Sequence, residues 1–228
     1  MTSVVDTFYA IDFDRCLSDT DKLDKIFYQL VVDYKELDPD LLLKARNDIE
    51  DNGGSFDQVK ALQQLLAPQR LQKFFNEFVR RSLTEDVLCS GANNLLDSLE
   101  KNKKTFGIVS YGNPEWQSIK MKASGVDTIP ALITDHKRKG EIIASWQQND
   151  KTFLIPPALI SDGVSIQVET VVLIDDKAVA FSNLPPEARG YWAQPLSGVL
   201  LPSQVGEVSE NVRIVRGLDE IITFESLP

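Results

Sequence analysis

Two pairs of acids stand at the ends of short apolar runs. "FYAIDFD" sets Asp12 and Asp14 behind four apolar residues, and "VVLIDD" sets Asp175 and Asp176 behind four more. Continuous apolar runs of this length suit strands buried on both faces of a parallel sheet. The interior of such a sheet does not accept unpartnered carboxylates. In an open parallel sheet, ligands collect beyond the carboxyl ends of the strands, so both runs deliver acids to one edge. A third run, "FGIVS", brings Ser110 to that edge, with Tyr111, Gly112 and Asn113 behind it. Hard oxygen ligands converging in this way suit Mg²⁺, which takes one or two carboxylates and keeps positions for water and phosphate.

Blander readings weaken on inspection. A single Asp after a strand is often a turn residue or a helix N-cap, but two strand tips carrying paired acids are harder to explain so. A calcium loop fails in "DFDRCLSDTD": position five is Cys16, position six is Leu17 rather than Gly, and position twelve is Leu23 rather than Glu. "GIVSYG" has one residue too many for a nucleophile elbow. His136 is the sole histidine, and nothing pairs it with a cysteine for a triad. Phosphate-loop and dinucleotide fingerprints are absent. Two cysteines, Cys16 and Cys89, are too few for a disulfide framework or a zinc site and read as small core-facing residues.

The elements that must position these acids alternate along the chain. Apolar runs recur at 8–11, 106–109, 131–134, 171–174 and 212–215. Helical segments lie between the later ones: "ANNLLDSLEKN", "PEWQSIKMKAS" and "GEIIASWQQ". This is the pattern of an α/β fold with right-handed crossovers, a Rossmann-like parallel sheet with helices on both faces. Residues 20–83 break the rhythm. Leu23, Ile26, Phe27, Leu30, Val31 and Tyr34 fall on one helical face, and "FDQVKALQQLL" and "RLQKFFNEFVRR" continue the period, with "DNGGS" as a break. About four helices are expected there, inserted between the first two core strands, because a simple crossover needs only a dozen or so residues.

Composition sets the outer limits. The 228 residues, 43% hydrophobic, allow a sizeable core, and the net charge of −10 disfavours nucleic acid or an anionic membrane surface as partner. A small anionic substrate remains open, because a bound metal reverses the local field. The start "MTSVVDTFYAID" has neither a basic segment nor a long apolar run, and no stretch approaches the roughly 20 apolar residues of a membrane span. A cytoplasmic location is expected.

With these motifs in order, the sequence resembles the haloacid dehalogenase superfamily of phosphohydrolases. That family's first motif, an apolar strand followed by D-x-D-x-[TV]-L, is matched by "FYAIDFDRCL", with Cys16 in the Thr/Val position and Arg15 as a bulky cation beside the acids. Its second motif is matched by "FGIVS" and Ser110, and its fourth by "VVLIDD". The segment "CSGANNLLDSLEKNKKTFGIVSYGN" is similar to the family's approach to the second motif. The third motif is a Lys or Arg before the helix leading to the last catalytic strand. "ITDHKRKGEIIASW" offers Lys139 for it, with Lys137 as a close alternative and Lys151 as a distant third. The resemblance implies a catalytic core of residues 1–19 and 84–228 and an all-helical cap of residues 20–83. It implies Asp12 as nucleophile, Asp14 as general acid and base, and Ser110 and Lys139 as phosphate ligands. Mg²⁺ would be held by Asp12, the backbone carbonyl of Asp14, and Asp175, with Asp176 assisting. The acid at position 14 favours phosphomonoester hydrolysis of a small metabolite over dehalogenation. A phosphotransferase or sugar-phosphate mutase, and a weakly active binding or regulatory protein, are the rival readings. Arg46 and Arg80 of the insert are candidate substrate contacts, equally explained as solvated helix charges.

Overall fold

Strand β1 (Val5–Ile11) runs through the middle of a seven-stranded sheet in the computed structural model, which describes residues 5–148, 151–194 and 209–227. The others are β2 (Thr105–Tyr111), β3 (Ala131–Thr134), β4 (Phe153–Ile155), β5 (Ile166–Asp175), β6 (Arg189–Ala193) and β7 (Val212–Val215). Their order is β3-β2-β1-β5-β6-β7, with β4 beside the start of β5. Every pairing is parallel except β4 with β5. The five runs read from the sequence are all strands. The two strands without a sequence signal are β4, only three residues long, and β6, whose "RGYWA" begins with a charge and a glycine.

Side-chain alternation assigns the two faces of the sheet. Phe8 and Ala10 of β1 and Val171 and Leu173 of β5 bury with Ile143 and Trp146 of α7 (Lys139–Trp146). Tyr9 faces the other way, and its hydroxyl donates to Glu225 at the end of α8 (Leu218–Phe224), 2.9 Å away. Helix α5 (Ala92–Lys101) packs beside α8 and β2. The core is thus a sheet with helices on both faces.

A second compact unit is entirely helical. It contains α1 (Thr20–Asp33), α2 (Pro39–Glu50), α3 (Gln58–Gln63) and α4 (Pro68–Ser82), and also α6 (Pro114–Ala123). Acid and amide side chains start most of these helices, as N-caps do. Asp19, Asp38, Asp57 and Asn113 each accept from a backbone N–H in the first turn of the helix that follows. The unit comprises residues 19–87 and 112–128, so it takes in α6 beyond the expected insert of 20–83, a helix the sequence reading placed in the core of 1–19 and 84–228. The reason is Trp116. It buries among Phe27, Phe75 and Phe78, with ring centroids 5.3 Å, 6.2 Å and 5.4 Å away, so α6 adds its apolar face to the helical core. Among the described residues, no helix is long and apolar enough to cross a membrane.

Candidate active site

The strands β1 and β5 finish level, because Ile11 pairs with Ile174. One more ladder bond follows, from the Asp12 N–H to the Ile174 carbonyl at 2.8 Å. The alternation that turns Ala10 and Leu173 toward α7 turns the next alternate residues, Asp12 and Asp175, the same way. Both are buried, at 3% and 1% exposure. Helix α7 begins at that level. The Lys139 ammonium, itself buried, lies 2.5 Å from Asp12 Oδ1 and 2.6 Å from Asp175 Oδ2.

Gly140 is what lets the lysine in. A Cβ there would collide with the Ser182 carbonyl oxygen and come within 2.8 Å of the Leu184 amide nitrogen. The start of α7 therefore rests directly on the 182–184 backbone, and Lys139 is delivered from that contact. Lys137 instead lies over the Tyr111 ring, 5.1 Å from its centroid, and Lys151 is an exposed residue 3.5 Å from Glu187. Of the three lysines, Lys139 is the one brought to the acids.

Asp176 completes the acidic group. Carboxylate oxygens of Asp12, Asp175 and Asp176 lie within 4.8 Å of one another. The second Asp175 oxygen accepts from the Lys177 N–H at 2.8 Å, and the Asp176 carbonyl accepts from the Trp192 indole at 2.9 Å. Asp176 Oδ1 is buried and has no hydrogen-bond partner. Three carboxylates thus gather at one buried ammonium, with Lys177 and Arg15 adding positive charge around Asp176. Burial pushes the Asp12 carboxyl well above the usual carboxylate range; Lys139 opposes this, while Asp175, Asp176 and Asp14 add to it. The Asp176 carboxyl is pushed up to about 6, chiefly by burial. For Lys139, burial works against the charge, but Asp12 and Asp175 overcome it and hold the ammonium protonated.

The remaining candidates lie close by in the sequence or on a neighbouring strand. Asp14, half-buried, follows β1 and acts on Asp12 through its charge. The chain turns back immediately after it: the Leu17 and Ser18 amides both donate to the Phe13 carbonyl, and Arg15 takes a left-handed conformation at φ 61°. Cys16 is buried, with its thiol 3.9 Å from the Ile174 carbonyl. Burial, reinforced by the neighbouring carboxylates, pushes that thiol up and keeps it neutral, so it is no nucleophile. Cys89, expected to face the core, is only partly buried. Ser110 sits near the end of β2, fully buried, with an Oγ that makes no hydrogen bond. In the helical unit, Arg46 is paired with Asp24 and Glu50, and Arg80 with Glu77.

The donor set suits a hard divalent cation. All the available ligand atoms are oxygens, three carboxylates gather there, and the orphaned Asp176 oxygen is an acceptor without a donor. Asp12, Asp175 and Asp176 are the residues that could hold Mg²⁺. Gly140 and Trp192 are contributors that motif reading passed over. The first carried a signal in the Lys-Gly step, whereas the second lies on a strand with no apolar run to announce it.

No protein-family model matches the sequence, and no curated protein matches it either. Solved structures do share its architecture. A protein from Burkholderia xenovorans LB400, described as a haloacid dehalogenase-like hydrolase, superposes with a TM-score of 0.63 at 17% identity, covering 97% of both chains. A Bacillus subtilis HAD hydrolase, YfnB, solved with magnesium bound, gives 0.56 at 14% identity over 97% of this chain and 99% of its own. A Thermotoga maritima protein described as a beta-phosphoglucomutase gives 0.53 at 11% identity over 98% of this chain and all (100%) of its own. The chain has the haloacid dehalogenase-like fold.

Proposed function

We propose that the protein is a Mg²⁺-dependent phosphomonoester hydrolase that acts on a small phosphorylated metabolite through an aspartyl-phosphate on Asp12. The observation that carries this reading is the buried Asp12 carboxylate at the tip of β1, held by Lys139 at 2.5 Å beside two further acids. A carboxylate so placed serves as a nucleophile that splits one hard displacement into two easier ones.

In the first half-reaction an Asp12 oxygen attacks phosphorus and the bond to the leaving oxygen breaks. Asp14 gives that oxygen its proton. In the second, water attacks the same phosphorus, Asp14 takes the water proton, and inorganic phosphate leaves with Asp12 restored. Lys139 and the Ser110 hydroxyl hold the phosphoryl oxygens while charge develops on them, the positioning and electrostatic work that dominates phosphoryl transfer. The unpartnered Ser110 Oγ supports this role, since its hydroxyl has no bond to give up when phosphate arrives. Mg²⁺, held by Asp12, Asp175 and Asp176, would neutralise the clustered carboxylate charge and let a dianionic phosphate approach. The magnesium bound to the B. subtilis hydrolase of the same fold supports the choice of metal. The net charge of −10 favours a small substrate over a nucleic-acid polymer.

The test is phosphate release from p-nitrophenyl phosphate and a panel of phosphorylated metabolites, by the wild-type protein and Asp12→Asn. Turnover that EDTA removes and Mg²⁺ restores, and that Asp12→Asn reduces to under about one part in 10² while the fold stays intact, is expected for a covalent nucleophile. Retention of more than a few per cent by the variant would exclude the aspartyl-phosphate route. Transfer to an acceptor sugar in place of water would point to a mutase.

A further inference from the structure

Trp192 does more than fill the core. It lies on β6 directly opposite Asp175, it is 2% exposed, and its indole N–H donates to the Asp176 carbonyl at 2.9 Å. Asp176 is the first residue beyond β5, where the ladder no longer fixes the chain. Two bonds hold the turn there. The Lys177 amide fixes the Asp175 carboxylate, and the indole fixes the peptide that follows Asp176. Asp176 Oδ1 accepts nothing, so this oxygen is placed by the backbone that carries it.

The residue type supports the point. The Trp192 ring belongs to the buried apolar cluster that also holds Phe8, Leu173, Phe181 and Ala188, a setting in which a phenylalanine would bury comparably. An indole N–H placed in such a core costs free energy unless it finds an acceptor. The acceptor it finds is the backbone of an acid in the carboxylate cluster.

We infer that Trp192 is a positioning residue for the metal site: through the Asp176 carbonyl, its indole N–H sets the Asp176 carboxylate where it serves a divalent cation. The inference rests on the metal reading proposed above. Groups that orient metal ligands typically alter affinity by about 10–100-fold when removed.

The experiment compares Trp192→Phe with Tyr191→Phe. The control sits one residue away on the same strand and loses a hydrogen bond to Glu225 (2.6 Å). Mg²⁺ binding is measured by calorimetry without substrate. Trp192→Phe should weaken Mg²⁺ binding about 10-fold or more, and Tyr191→Phe should stay within about twofold, since Glu225 is no part of the carboxylate cluster. In the wild-type protein, the assigned Trp192 indole N–H resonance should shift with Mg²⁺ at the calorimetric Kd and exchange more slowly when metal is bound. That measurement stands even if Trp192→Phe does not fold. Equal Mg²⁺ affinities in wild type and Trp192→Phe, equal losses in both variants, or an indole resonance indifferent to Mg²⁺ would each overturn the inference while leaving the metal site in place. A wild-type protein that binds no Mg²⁺ would overturn the metal reading and this inference with it.

Discussion

Replacing Lys139 by methionine tests the centre of the site. The side chains of Lys139, Asp12 and Asp175 are 3%, 5% and 2% exposed, and the two contacts are 2.5 Å and 2.6 Å. At an effective dielectric of about 20, each contact is worth roughly 6 kcal/mol before desolvation. Burying each ion costs several kcal/mol, so the pair contributes little net. Removing only the cation is different, because both carboxylates then stay buried without it. Such losses run to about 3–5 kcal/mol, or roughly 6–20 °C in Tm for a chain of this size. Because burial raises the folded pKa of Asp12 and Asp176, the native state holds protons that the unfolded state releases, and stability rises as pH falls between the two values. Removing Lys139 takes away the charge that holds the Asp12 carboxyl down, so Asp12 takes up its proton at higher pH in Lys139→Met than in the wild type, and the deficit should narrow as the pH is lowered. Mg²⁺ should also restore stability, since 100-fold excess over Kd contributes about 2.7 kcal/mol. Turnover should not recover, because loss of a charge-stabilising donor at the phosphoryl group costs about 10²–10³ in rate. Thermal melts with and without Mg²⁺, alongside p-nitrophenyl phosphate kinetics, measure all three. A Tm within about 2 °C of wild type, or turnover that Mg²⁺ brings back to normal, would refute the reasoning.

Three further outcomes follow from the same geometry. Gly140→Ala should cost about 1–3 kcal/mol by overpacking and lower turnover through displacement of Lys139, so wild-type activity in a melted-down variant would break the link between the two. Asp14→Asn should slow an alkyl phosphate by about 10²–10⁴ but leave a rapid burst of nitrophenol from p-nitrophenyl phosphate, whose leaving group needs no acid; equal slowing of both first steps would assign Asp14 a structural role instead. Mg²⁺ affinity should decline as pH drops below about 6, where Asp176 takes up a proton that competes with the metal, and a flat affinity profile from pH 7.5 to 5 would remove Asp176 from the ligand set.

The acids were legible because a parallel strand buried on both faces is a continuous apolar run, and its end is unmistakable when a carboxylate follows. Asp12, Ser110 and Asp175 each ended such a run, and the rule that ligands collect beyond the carboxyl ends of strands in open sheets brought them to one edge. The choice among Lys137, Lys139 and Lys151 was less legible. Three bases near a turn look alike by charge. What separates them in the sequence is the Lys-Gly step into the helix, and the structure gives its reason in the close backbone approach at Gly140. Strand β6 escaped for a related reason: a register partner, not an apolar run, makes "RGYWA" a strand.

Helix α6 shows where periodicity stops informing. Its sequence declares an apolar face, and strand–helix alternation assigns that face to the sheet, but a period cannot name the surface that buries it. Two local features decide the matter. Trp116 brings a large ring that finds edge contacts with Phe27, and Asn113 caps α6 while donating to Asp57, the residue that caps α3, at 2.8 Å. Both ends of that hydrogen bond are helix caps, so the first turns of α3 and α6 are fixed together. Asn113 stands only three residues beyond Ser110 in the chain. The strand that supplies a phosphate ligand in the proposed mechanism thus runs directly into a helix of the helical unit, and two covalent routes, through residues 18–19 and 111–112, lead from site strands into that unit.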